Sequence, residues 1–146
     1  LLNFNNNFME YPDYNWWAMI VATVAFWVLG ALWYSPVLFG KRWQKELGFT
    51  DEYLKSGSMV VTFGLSFVLM LFMVWGLGFA LLVHKPEDVT WLSGLWLGVF
   101  IGIIFSMFTM GINYLYQRRS FVLWLIDGIY IVFGLAIAGI IIGAWR

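Results

Sequence analysis

The chain has 146 residues, of which 62% are hydrophobic, 21% aromatic and only 11% charged, and its formal net charge is zero. A water-soluble domain carries about 25% charge, so lipid must surround most of this chain, and the charge balance gives no footing for nucleic acid. No cysteine is present, which excludes disulfides and thiolate metal sites.

Residues 1–15, "LLNFNNNFMEYPDYN", form a polar, aromatic lead without the basic region and apolar run of a signal peptide. Four apolar runs follow, at about 16–39, 59–83, 91–116 and 121–145, with the second helix expected to begin near 55. Each reaches the ~20 residues that cross the hydrocarbon layer as a helix. None alternates as a membrane barrel strand would, so backbone hydrogen bonding in lipid selects helices. The expected fold is all-α: an integral membrane four-helix bundle with short loops, forming one domain over 16–146.

Pro36 lies near the end of the first run, where it can stop a helix without opening its middle. In the first link, "RWQKELG" suits a short amphipathic turn ending at Gly48, and Thr50 before Asp51 and Glu52 reads as a helix cap. The first and third links carry Lys41, Arg42, Lys45, Lys55, Arg118 and Arg119; the opposite side carries Lys85 and Arg146. That asymmetry places both links in the cytoplasm and both termini outside. His84, the one histidine, sits beside Lys85 and Pro86 and reads as a loop residue. Most tryptophans and tyrosines are expected in interfacial belts, with Trp33, Tyr34, Trp43, Tyr114, Tyr116 and Trp124 on the inner side.

The third run repeats small residues every four positions, at Gly94, Gly98, Gly102 and Ser106, a spacing that lets another backbone approach. The fourth run offers one matching face at Gly134 and Ala138 and a second at Gly139 and Gly143. One face can pack inside the bundle while the other meets a neighbouring subunit, and periodicity alone does not assign them.

Asp127 is the acid expected within a span, where a charge is costly and usually functional. Polar residues of all four runs converge near its depth: Tyr34 and Ser35, then Ser58 and Thr62, then Asn113, with Tyr130 one turn along. These are the candidate donors to Asp127, and Arg118 or Arg119 can snorkel toward it. General acid–base work needs a second positioned group, and neither a carboxylate pair nor a Ser-His-Asp set is available. No cofactor or metal ligand set is recognisable.

The stretch "LGALWYSPVLFGKRW", residues 29–43, resembles the opening motif of DUF1761, a family of small bacterial membrane proteins of unknown function. The tail "FVLWLIDGIYIVFGLAIAGIIIGAWR" is similar to that family's last helix, and the resemblance runs over 15–146. By that likeness Gly30, Trp33, Tyr34, Ser35, Pro36, Phe39, Gly40 and Trp43 match the first motif, and Asp127 matches the acidic position. The resemblance implies a four-helix membrane protein and no activity. Two functions are therefore expected for a multi-pass protein of the bacterial inner membrane. One is an oligomeric transport or permeation protein using Asp127; the other is a structural or accessory subunit of a membrane assembly. The partners expected are the lipid bilayer and either further copies of the chain or another membrane subunit.

Overall fold

A computed structural model describes residues 15–84 and 86–145. These residues are helical and joined by short turns, with no strand among them. The helices are α1 (Trp16–Trp33), α2 (Gly40–Leu47), α3 (Asp51–Ser56), α4 (Met59–Leu82), α5 (Trp91–Ile101), α6 (Phe108–Tyr116) and α7 (Phe121–Ala144). A π-helical segment, Gly102–Met107, joins α5 to α6, so 91–116 forms one long rod. Four helices are long and apolar enough to cross a membrane: α1, α4, this rod and α7.

Each of the four begins on a short polar side chain that accepts an otherwise orphaned N–H of the first turn. Asn15 accepts from Ala18 at 3.1 Å, Ser58 from Val61 at 3.4 Å, Thr90 from Ser93 at 3.2 Å and Ser120 from Leu123 at 3.1 Å. The expected Thr50 cap is present too, accepting from Tyr53 at 3.2 Å.

Two helix limits differ from expectation. α1 stops at Trp33 instead of running to 39, because Pro36 disfavours helical geometry at Ser35 and supplies no N–H of its own. α4 starts at Met59, since Gly57 and Ser58 are extended and separate it from the short α3.

α7 is central: half of its most apolar window is buried, against 11% for the 91–116 rod. It meets α1 by reciprocal insertion. The Phe26 ring of α1 occupies the space above Gly134, and the Tyr130 ring of α7 occupies the space above Gly30. It meets α5 by backbone contact, with Gly94 on Gly139, Gly98 on the Leu135 carbonyl, and Gly143 on the Thr90 carbonyl. Gly102 lies against the Val132 Cα. A side chain at any of these glycines would overlap the facing chain.

Gly134 and the fully buried Ala138 serve the α1 side, while Gly139 and Gly143 serve the α5 side. Both small faces of α7 are thus occupied within the chain. α4 is peripheral, and its first half carries exposed apolar residues such as Val60 and Leu65.

Candidate functional site

The end of α1 is folded into a knot that aims two aromatic side chains at α7. The Ser35 hydroxyl donates to the Leu32 carbonyl at 2.7 Å, closing the last turn before Pro36. The Phe39 N–H then returns to the Trp33 carbonyl, and the Gly40 N–H to the Ser35 carbonyl, both at 3.0 Å. Gly40 is buried directly against the Tyr34 and Ser35 carbonyls, where any side chain would collide with backbone. Held this way, the Trp33 indole N–H donates to the Ile126 carbonyl at 3.0 Å. The next residue, Tyr34, donates its hydroxyl to Oδ1 of Asp127 at 2.7 Å.

From α6, the Tyr114 hydroxyl donates to Oδ2 of Asp127, also at 2.7 Å. Asp127 is only 7% exposed, so these two bonds supply what water no longer can. Three separate segments meet on one carboxyl group. A tyrosine hydroxyl both donates and accepts, so the cluster can satisfy the carboxylate and, with one hydroxyl turned to accept, the protonated acid. Aromatic rings wall the site: Tyr34 lies 5.2 Å from Tyr130 and 5.4 Å from Trp43, both edge-on.

Of the donors expected from sequence, Tyr34 alone bonds to Asp127. Asn113 is exposed and its amide donates to the Thr109 carbonyl at 3.1 Å. Ser35 is committed to Leu32, and Ser58 to the cap of α4. Thr62 is exposed on peripheral α4. Tyr130 packs its ring against Tyr34 but points its hydroxyl to the Met70 sulfur at 3.9 Å. Arg118 and Arg119 are exposed rather than turned toward the acid.

Tyr114 was expected in the interfacial belt, and the π segment explains its position. A run of strict α-helix carries the glycine seam from Gly102 through Ser106 toward Asn113. The π turn, bonding i to i+5, inserts one extra residue. The side chain set against α7 after Gly102 is therefore Met107, on Gly128; then comes Gly111, beneath the Trp124 indole. Tyr114 follows one turn later. Ser106 and Asn113 are each displaced by one position from the seam. The Trp124 indole N–H donates to the Met107 carbonyl at 2.8 Å, satisfying backbone at the end of the irregular segment.

Asp127 thus stands with tyrosines, not with further acids or histidines. Among the described residues no group of three or more such side chains could hold a metal ion.

The family model described as "Protein of unknown function (DUF1761)" matches residues 17–143. No curated protein and no solved structure matches the chain.

Proposed function

The chain belongs to the DUF1761 family, and from that premise we propose that it is a structural or accessory subunit of a membrane assembly, with Asp127 as an internal clasp. The observation carrying this reading is the double occupation of Asp127: each oxygen already holds a tyrosine hydroxyl at 2.7 Å. A carboxyl group so engaged links α1, α6 and α7, and at 7% exposure it is largely closed to a passing ion. The site is built to hold the helices together.

The small faces of α7 are used internally, so a partner would meet α4. Thr62 is exposed there, and Gly64 and Gly76 have open space beside them. Small and hydroxylated residues are the usual means of contact between helices in lipid. We place the four spans as a bundle in the bacterial inner membrane, with both termini outside, on the basic-residue asymmetry of the links.

A photo-crosslinker at position 62, used in native membranes, tests the subunit reading. It should give a discrete adduct with another chain, and one at Trp96 on the lipid-facing side of α5 should not. Absence of any adduct from position 62 overturns it. Reporters fused within 43–55 and 117–120 should read cytoplasmic, and reporters at both ends external.

Transport remains the second reading, supported by the Tyr34–Asp127–Tyr114 chain of hydroxyl and carboxyl groups, which is able to pass a proton. Proton and ion flux into liposomes separates the two, because an Asp127→Asn effect on flux favours transport and its absence favours the clasp.

A further inference from the structure

Two basic links, distant in sequence, meet at one end of the molecule. α2 packs against the start of α7, and the Ser120 hydroxyl lies beside the Glu46 carboxyl. α2 turns Gly40 and Trp43 inward, the latter onto the Tyr34 ring. Lys41 and Lys45, one turn apart, consequently stand outward and exposed. In the adjoining α6–α7 turn, Arg118 and Arg119 are exposed as well. Arg118 takes the left-handed conformation, φ 54°, and the Arg119 N–H returns to the Tyr114 carbonyl at 2.9 Å. The turn is therefore a defined structure that presents both guanidinium groups.

Among the described residues the ion pair present is Arg42–Glu46, at 2.7 Å. Lys41, Lys45, Arg118 and Arg119 have no carboxylate partner there. Nearby acids do little to cancel them: Glu46 is committed to Arg42, and Asp51 accepts from Gln44 at 2.7 Å. An apolar flank adjoins the cations. Leu115 and Tyr116 before the turn, and Phe121 after it, are all largely exposed.

We propose that Lys41, Lys45, Arg118 and Arg119 form a binding surface for the phosphate headgroups of anionic phospholipids, whose acyl chains lie along Leu115 and Phe121. The lysines reach phosphate oxygens as mobile point charges, and the arginines bind them in a planar fork. A free phosphate would use the cations alone; the adjoining apolar flank favours a lipid. Trp43 ties the surface helix to Tyr34, so the lipid would brace the element that reaches Asp127.

Native mass spectrometry of the delipidated full chain tests this, comparing phosphatidylglycerol with phosphatidylcholine of identical acyl chains. The wild type should prefer phosphatidylglycerol by at least about fivefold, the effect of one basic residue near an anionic surface. The variant K41Q/K45Q/R118Q/R119Q should bind both lipids alike while keeping the wild-type melting temperature in phosphatidylcholine. The half-variants K41Q/K45Q and R118Q/R119Q should each lose part of the preference, which covers the case of a quadruple variant that folds poorly. Equal uptake of the two lipids by the wild type overturns the proposal, and so does an undiminished preference in the half-variants. Displacement of phosphatidylglycerol by equimolar inorganic phosphate also overturns it, showing a phosphate site in place of a lipid surface.

Discussion

Tyr114 and Asp127, thirteen positions apart and on successive helices, share a 2.7 Å hydrogen bond, whereas the neighbouring Asn113 bonds back to its own helix. One residue of helical phase separates a member of the buried cluster from an exposed side chain. Tyr114→Phe and Tyr34→Phe should each cost ~1–3 kcal/mol, the range for a buried acceptor deprived of its donor. Asn113→Ala should stay within about 0.5 kcal/mol. Unfolding titrations in mixed micelles check this, and a double-mutant cycle on the two tyrosines should show non-additivity, because both act on one carboxyl group. Asp127→Asn should keep much of the stability that Asp127→Leu loses.

The contact between α5 and α7 is made by backbone. Gly94→Ala and Gly139→Ala should each destabilise by ~1–3 kcal/mol as the chains are forced apart. Gly76→Ala, beside open space, should be neutral or slightly stabilising through helix propensity. Equal effects at Gly76 and Gly94 would contradict the close approach described.

Phe26 and Gly134 form a ring-over-glycine pair in the contact between α1 and α7. Gly134→Ala should therefore be destabilising in the wild type and much less so in a Phe26→Leu background. Thermal melts of the two single variants and the double variant measure that coupling.

Glu46 gives the pH-dependent prediction. The Ser120 hydroxyl, first, and then the Arg42 guanidinium hold its carboxyl below the usual carboxylate value. A lowered folded value means that the carboxylate's stabilising contribution is complete above the ordinary glutamate range, near about 4.3, and fades as the pH falls through the folded value. Side-chain carbon resonances should show Glu46 titrating below the ordinary glutamate value. Ser120→Ala should move Glu46 upward, and an unchanged midpoint would remove Ser120 as the cause.

The four apolar helices, the glycine seam and the burial of Asp127 are legible in the sequence because each follows from composition or a regular repeat. Gly94, Gly98 and Gly102 announce close contact through spacing alone. Tyr114 is not legible that way, since the extra residue lies in "GIIFSM", an apolar stretch that carries no helix-breaking signal. The aromatic belt concealed a second class of contact. Trp33 and Trp124 do lie toward the link end, but their indole N–H groups are directed at the Ile126 and Met107 carbonyls. The available signal was chemical: a tryptophan one or two turns inside lipid still needs an acceptor for its N–H. Opposed glycines at 30 and 134 likewise match Tyr130 and Phe26 only once the register of α1 on α7 is known.

The π segment at 102–107 also bears on how the chain's length can vary. Because that turn holds one residue more than an α-helix would use, removing one of its outward residues, such as Ile104, would leave a continuous helix. Gly102 below and Gly111 and Tyr114 above would keep the same faces toward α7. A deletion at Trp96, also outward, would instead rotate Gly98 and everything after it by about 100° relative to Gly94. The middle of this membrane helix should therefore tolerate a one-residue deletion that the regular helix two turns earlier does not, and relatives of shorter length are expected to have lost their residue here.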